Sequence, residues 1–419
     1  MIPSPTPSST RDWFGQPRGL TVLFLTEMWE KFSFFGMQLL LVFYMTKQLH
    51  FTQADASLVF GLYTGGVYLT PIFGGMLADR WLGRRRAVQI GGSLMALGHF
   101  ALASEALFFP ALVLIALGNG LFLPNLPSQV GDLYAKDDPR RGGSYNVYYV
   151  GVNLGALLAP FLCGTLGELY GWHVGFGAAG LGMCLGLIIY SMNGRYLPPD
   201  QPRKTRQAKA VKLEARLWLP LLLVGLAVVV FRCAYAQSGN TLALWADTHV
   251  DRHVLGFLVP VTWVQSLNPF FIFLLTPLVV AGWRRAATRG REPSSPVKMA
   301  VGAAGVALSY LLLAFLAADG QTVSALWLTV FFALYTLGEL YILPVGLGLF
   351  ARLAPVGMGG TVIAAWFLAS FGGNLLSGVV GRAWEAMGPS GFFLSLAGIS
   401  ATSAAALLAL APMVNRIGR

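Results

Sequence analysis

The chain alternates long apolar blocks with short polar connections from its beginning to its end. Each block is about 20 residues long, which is the length that an α-helix needs to cross the hydrocarbon core of a bilayer. The sequence therefore predicts an all-α, multi-pass membrane protein. The pattern places twelve spans at 19–46, 57–77, 87–108, 110–131, 145–169, 173–192, 217–240, 256–282, 298–317, 323–350, 357–380 and 391–413.

The composition excludes several other classes of protein. Hydrophobic residues make up 55% of the chain and charged residues 11%, whereas a soluble domain has about 25% charged residues. A soluble enzyme, a nucleic-acid-binding module and a disordered scaffold are therefore excluded. The cysteines Cys163, Cys184 and Cys233 all fall inside predicted spans, so they imply no disulfide framework. No spacing of His, Cys, Ser or Asp indicates a metal or catalytic site, and we expect no enzyme and no cofactor.

The positive charges lie mostly on one side of the predicted membrane. If every second connection is cytoplasmic, starting with the N-terminal tail, that side holds 24 of the 29 Lys and Arg residues. Cytoplasmic loops carry such an excess, so both termini are predicted to be cytoplasmic. The net charge of +11 thus reports topology, with some attraction to anionic lipids, and implies no nucleic-acid partner. The first 16 residues lack the apolar core of a signal peptide.

A polar, basic, proline-containing segment at 193–216 separates six predicted spans from the other six. Two six-helix halves joined by a cytoplasmic linker are typical of transporters that hold their substrate between the halves, near the middle of the membrane. The predicted units are a cytoplasmic tail at 1–16, a bundle at 17–192, a basic linker at 193–216, a bundle at 217–413 and a tail at 414–419.

Five ionisable residues lie well inside the spans. They are Glu27, Glu30 and Lys31 in the first span, Arg232 in the seventh and Glu339 in the tenth. Each costs about 2.5–3.5 kcal/mol at the centre of a membrane helix, so such residues usually serve a function. Two carboxylates beside an ammonium on one helix face predict a proton site, and Glu339 could receive the ammonium of a substrate.

Other residues carry weaker predictions. Acidic residues near the span ends suit a solvated position at the membrane interface, and several aromatic residues could either line a cavity or pack in a core. The acidic residues are Glu105, Asp132, Glu168 and Glu385, and the aromatic ones are Phe34, Tyr63, Tyr68 and Trp366.

Five segments in order along the chain resemble the motifs of the proton-dependent oligopeptide transporter family, a branch of the major facilitator superfamily. The resemblance covers both halves and implies the twelve-helix major facilitator fold, in two six-helix bundles. The segments are EMWEKFSFFGMQ (27–38), GMLADRWLGRRR (75–86), YYVGVNLGALLAP (148–160), QSLNPFFI (265–272) and LGELYILPVGL (337–347).

The resemblance also implies roles for individual residues. Glu339 would bind the amino terminus of a peptide, and Asn153 and Asn268 would hold its backbone amides. Glu27 and Glu30 would handle the proton. Lys31 would couple to these glutamates or approach the substrate carboxylate, Tyr68 and Trp366 would line the pocket, and Gly75, Asp79, Arg80, Gly83 and Arg84 would form the conformational loop motif.

The chain departs from the family pattern at several charged positions. Lys31 replaces an Arg and so loses the planar fork that matches carboxylates. Gln38, Leu123 and Ala236 stand where the family has Arg, Lys and Glu, whereas Arg232 stands where an aromatic residue is usual. The linker is also too short for the two additional helices that many bacterial members carry.

Arg232 has three alternative interpretations. It could be a relocated cation that binds the substrate carboxylate in place of the charges missing at Gln38 and Leu123. It could pair with Glu27 or Glu30 as a lock, or extend to the membrane interface.

The sequence thus predicts a proton-coupled symporter of di- and tripeptides that works by alternating access. The proton gradient would be its energy source, and the protein would be a monomer in the plasma membrane. Two alternatives stay open. One is a relative with an amine-bearing substrate, which could be an exporter, and the other is a membrane sensor that does not transport.

Overall fold

The computed structural model describes residues 15–135, 138–200, 215–254, 256–354 and 359–417. We number its twelve long helices α1 to α12. Helices α1 to α6 are Arg18–Phe43, Gln53–Leu77, Arg84–Ala101, Phe108–Phe122, Arg140–Ala159 and Trp172–Met192. Helices α7 to α12 are Ala215–Tyr235, Leu267–Thr288, Ser295–Leu316, Ala325–Leu353, Gly359–Gly381 and Trp384–Ile417.

Short helical segments extend several of these helices. A π-helical turn begins at Pro160, because proline has no N–H group to donate inside a helix. Helix α12 bends at Gly388, whose φ of 67° suits glycine. The longer extensions are Tyr44–Gln48 after α1, Ala78–Leu82 after α2, Asn125–Asp132 after α4, Pro160–Gly164 and Thr165–Tyr170 after α5, Ala236–Gly239 and Thr241–His249 after α7, and Val261–Ser266 before α8.

Four strands of two residues each lie in the connections at the outer ends of the helices. Strand β1 (Val250–Asp251) pairs in parallel with β4 (Val323–Ser324), and β2 (His253–Val254) pairs antiparallel with β3 (Phe257–Leu258). The apolar stretch after residue 256 was predicted as the beginning of the eighth span. It instead forms this hairpin, and helical structure begins at Val261, after Pro260.

The prediction of twelve helices in a polytopic fold is confirmed. Ten helical segments are long and apolar enough to span a membrane within the described part of the chain. The two remaining long helices are more polar, because α1 carries Glu27, Glu30 and Lys31 and α3 begins with three arginines. The third predicted span runs past the end of α3, since the helix ends at Ala101.

The helices form two bundles with the same internal arrangement. In the first, α1 packs on α5 and α6, α3 packs on α4 and α6, and α2 packs on α4. Each pair recurs six helices later, so that α7 packs on α11 and α12, α9 on α10 and α12, and α8 on α10. The main contacts between the bundles, α2 with α11 and α5 with α8, are related in the same way. The fold is therefore a pair of related bundles.

Glycines allow the closest helix contacts. A Cβ atom at Gly74 of α2 would lie 2.1 Å from the carbonyl oxygen of Gly120 in α4. Gly302 of α9 and Gly338 of α10 also approach each other closely. A Cβ atom on either residue would lie 2.5 Å from the carbonyl oxygen of the other. Small residues of this kind permit the backbone contact by which membrane helices associate.

The two bundles are joined at the ends that the charge bias places outside the cell. The Lys47 ammonium lies 2.5 Å from Asp247, and Ser57 donates a hydrogen bond of 3.2 Å to Asn240. Glu168 accepts hydrogen bonds from the N–H groups of Val261 and Thr262, at 3.1 and 2.8 Å. The hydrogen bonds and ion pairs found between described residues of the two bundles lie toward these ends. These contacts hold the two bundles together at this end.

The loop motif is located at the cytoplasmic end of the first bundle. Arg84 forms an ion pair with Asp132, and Gly83 adopts a φ of 76° that favours glycine. The neighbouring Arg85, which the sequence did not single out, binds the carbonyls of Gly194, Leu197 and Pro198. This holds the first part of the 193–216 segment, of which residues 201–214 lie outside the described residues. Gly75 lies near Pro124, and Asp79 and Arg80 line a second, cytoplasmic cavity with Gly83 and Arg84.

Candidate functional site

A cavity of about 310 Å³ lies between the two bundles. Its volume is at the lower end of the range for small-molecule sites, about 300–1,000 Å³. Seven of the twelve helices contribute side chains to its wall. Polar or aromatic lining residues include Phe34, Gln38, Tyr68, Tyr149, Asn153, Arg232, Tyr235, Gln265, Asn268, Tyr335, Glu339 and Asn374.

Glu339 of α10 is held in a fixed orientation. The side-chain amide of Asn268, on the neighbouring helix α8, donates a hydrogen bond of 2.6 Å to the Glu339 carboxylate. The same amide group donates to the hydroxyl of Thr336, one turn before Glu339, at 3.0 Å. Because Glu339 lines the cavity, the arrangement presents a positioned negative charge to a ligand.

Asn153 of α5 faces the cavity from the opposite bundle. Its amide donates a hydrogen bond of 3.0 Å to the carbonyl of Tyr149, one turn earlier, and both residues line the wall. Asn153 and Asn268 therefore line the same cavity from two different bundles.

Arg232 also lines the cavity, although only 7% of it is exposed. Its guanidinium carbon lies 4.9 Å from the centre of the Tyr68 ring, which belongs to α2 of the other bundle. Among the described residues, Arg232 forms no ion pair with Glu27 or Glu30, and its side chain lines the cavity between the bundles. The cation–π contact with Tyr68 takes the place of an ion pair.

The three charges of α1 form a separate, buried cluster. Lys31 lies 2.7 Å from Glu30 and 3.5 Å from Glu27, and Glu27 and Glu30 are 2% and 0% exposed. Lys31 does not line the cavity, although Phe34, one turn further along α1, does. The cluster is therefore next to the cavity but outside its wall.

Trp366 also lies away from the cavity wall. It is 4% exposed and packs inside the second bundle, edge to face with Phe350 and against Gly346. Gln38 and Tyr68 line the wall, as do several polar residues that sequence reasoning did not single out, namely Tyr149, Tyr235, Gln265 and Asn374. These residues are uncharged and carry little cost in a membrane helix, so their sequence pattern gives no comparable indication.

Comparisons with known proteins identify the family. The POT family model matches residues 85–215 and 202–387. The uncharacterized transporter YclF of Bacillus subtilis is 33% identical, over 97% of this chain and 96% of its own. A di-/tripeptide transporter of Lactococcus lactis subsp. cremoris is 33% identical, over 86% of this chain and 88% of its own.

Solved structures agree with the sequence relatives. A crystal structure of a mutant of the peptide transporter POT in complex with alafosfalin superimposes with a TM-score of 0.88 at 31% identity, over 97% of each chain. The alignment with YclF runs over 476 positions, more than the 419 residues of this chain, so YclF has segments that this chain lacks. With its motifs, its fold and these matches, the chain belongs to the POT family of membrane transporters.

Proposed function

We propose that this protein carries out proton-coupled symport of di- and tripeptides across the plasma membrane by alternating access. The observation that carries the proposal is the cavity between the bundles, where Asn268 fixes the Glu339 carboxylate while the outer side is closed. The cavity is formed by one chain, which is consistent with a functional monomer. The relatives that are named as peptide transporters support the substrate class.

In this proposal, Glu339 binds the α-ammonium group of the peptide. Asn153 and Asn268 reach the peptide backbone from opposite bundles, and Tyr68 and Gln38 form part of the wall. Glu27 or Glu30 takes up the proton, and Lys31 responds because its ammonium is shared between them. Closing the cytoplasmic side and separating the outer contacts would then expose the same cavity to the outside, as alternating access requires.

The experiment is uptake by proteoliposomes under an imposed inward proton gradient, using radiolabelled dialanine. We expect saturable uptake that free dipeptides inhibit and N-acetylated dipeptides inhibit at least tenfold less well, because an amide cannot pair with Glu339. Glu339→Gln should remove this difference, whereas Glu385→Gln, an exposed glutamate near the outer end of α12, should keep it. Absence of any gradient-driven peptide uptake by the unaltered protein would overturn the proposed function.

A further inference from the structure

Both charged groups of the cavity belong to the second bundle. Among the described residues that line it, Arg232 of α7 and Glu339 of α10 are the charged ones, and the first bundle contributes neutral side chains such as Gln38, Tyr68 and Asn153. The one buried ammonium of α1, on Lys31, lies outside the wall and is paired with two glutamates. A ligand in the cavity therefore meets its positive and its negative partner on the same bundle.

An aromatic stack places these two charges at the same depth. Tyr235 of α7 and Tyr335 of α10 stack with their ring centres 4.9 Å apart and their planes 9° from parallel. Arg232 precedes Tyr235 by three residues, and Glu339 follows Tyr335 by four, so each charge lies one turn from the stack. Because α7 runs outward and α10 runs inward, both turns extend toward the cytoplasm. The two charged residues therefore line the cavity at a similar depth.

The surroundings of Arg232 leave part of its hydrogen-bonding capacity unused. The Nε–H group is buried and has no hydrogen-bond partner among the described residues. The face of the guanidinium is covered by the Tyr68 ring. The Cβ atom of Arg232 is held by close packing of α7 on α11, since a Cβ atom at Gly373 would lie only 2.4 Å from it. A guanidinium has a planar fork of N–H donors that suits bidentate binding of a carboxylate, and in Arg232 the Nε–H of that fork has no partner among the described residues.

We propose that Arg232 binds the carboxylate of the substrate, so that the second bundle holds both charged ends of a compact zwitterion while the first bundle provides a neutral wall. The proposal rests on the proposed peptide transport, because it assigns the second end of the same ligand. It makes Arg232 the residue that determines specificity for a free carboxyl terminus.

The test compares dialanine with its carboxyl-amidated form as competitors for binding to the purified protein in nanodiscs. In the unaltered protein, we expect free dialanine to bind more tightly than the amide. Arg232→Gln should weaken the binding of free dialanine by about 30-fold, as expected for a lost charge-assisted hydrogen bond of about 2 kcal/mol. The same change should alter the affinity for the amide less than threefold. Arg232→Lys keeps the charge without the fork and should give an intermediate preference.

Two matched variants distinguish this proposal from its alternatives. Gln38→Ala removes a neutral wall residue of the first bundle, and Lys31→Gln removes the buried ammonium of α1. Neither change should alter the ratio of the affinity for free dialanine to that for the amide. If Lys31→Gln abolished the ratio, or if Arg232→Gln weakened both peptides equally in a protein of unchanged melting temperature, the assignment of Arg232 would be overturned. Peptide uptake that persists with an unchanged ratio in Arg232→Gln would reject this inference alone and leave the proposed function standing.

Discussion

At the scale of single residues, the neighbours of each buried charge determine what it can do. Lys31 lies between two carboxylates on one turn of α1, with Nζ 2.7 Å from Glu30 and 3.5 Å from Glu27. Breaking a buried ion pair by removing one partner costs about 3–5 kcal/mol, because a charge is left without compensation. Adding a proton to one carboxylate instead leaves a matched pair. Protonating one carboxylate of the cluster therefore costs less free energy than replacing one of its three charged residues.

We predict that Glu27→Gln and Glu30→Gln each abolish the accumulation of dialanine against its gradient under an imposed proton gradient. Either change removes one of the two carboxylates between which the proton and the Lys31 ammonium are shared. Exchange of labelled for unlabelled peptide should survive in part, because exchange needs no net proton movement. Uptake and counterflow in the same proteoliposomes measure both properties, with Glu385→Gln as the control. Undiminished accumulation by both variants would place the proton site elsewhere.

The sequence singles out the charged residues inside the spans but not their orientations. Glu27, Glu30, Lys31, Arg232 and Glu339 stand out because charge is costly within an apolar span. The sequence could not decide whether Lys31 faces the glutamates or the substrate, since both lie within reach of a flexible side chain. Trp366 packs against Phe350, away from the cavity, because of the rotation of α11 about its own axis. The sequence does not define this rotation, since a helix with apolar neighbours on all sides has no clear amphipathic pattern.

At the scale of helices, backbone contact at glycines sets how closely neighbours pack. Gly302 and Gly338 join α9 to α10, and their mutual approach leaves no space for a Cβ atom. The sequence predicted the helices from the length of the apolar blocks. It could not assign partners, because a glycine on a lipid-facing surface and one in a helix contact give the same pattern.

We predict that Gly338→Ala destabilises the protein by about 1–3 kcal/mol, the usual cost of overpacking. The new Cβ would lie 2.5 Å from the carbonyl oxygen of Gly302, and backbone atoms cannot move aside as a side chain can. Gly348→Ala in the same helix is the matched control, because nothing lies within 4 Å of its Cβ position. Since alanine favours helix by about 1 kcal/mol, the control should be neutral or slightly stabilising. Thermal unfolding in detergent measures the stability of both variants. Equal melting temperatures for Gly338→Ala and Gly348→Ala would contradict the close contact of α9 with α10.

At the scale of the whole molecule, the polar contacts between bundles act as a closure on the outer side. Glu168 connects α5 to the beginning of the helical segment before α8 through three hydrogen bonds, including one of 2.6 Å from the Thr262 hydroxyl. Arg252 lies 4.0 Å from Glu168 and 3.5 Å from Asp247, which pairs with Lys47. The sequence placed Glu168 at a solvated span end, because the chain alone did not show that the second bundle would cover it.

We predict that Glu168→Gln shifts the population toward the outward-facing state by at least fivefold. The amide accepts hydrogen bonds more weakly than the carboxylate does, and a loss of about 1–2 kcal/mol across the closed outer side favours opening. Spin labels at Ser104 and Asp319, which are exposed in outer loops of opposite bundles, report the change as a longer distance distribution. Asp138→Asn is the control, because Asp138 pairs with Arg140 within one bundle. An unchanged distribution in Glu168→Gln would show that other contacts hold the outer side closed.

The three charges of α1 also have an electrical consequence. With both carboxylates ionised, the cluster of Glu27, Glu30 and Lys31 carries a net charge of −1, and one added proton makes it neutral. Arg232 and Glu339 sum to zero, and so does a zwitterionic peptide. The loaded carrier would thus reorient without net charge in its interior, whereas the empty, deprotonated carrier would reorient with one negative charge in the transmembrane field. A full charge in that field is worth about 2.3 kcal/mol per 100 mV. A negative cell interior would therefore speed the return of the empty carrier to the outside.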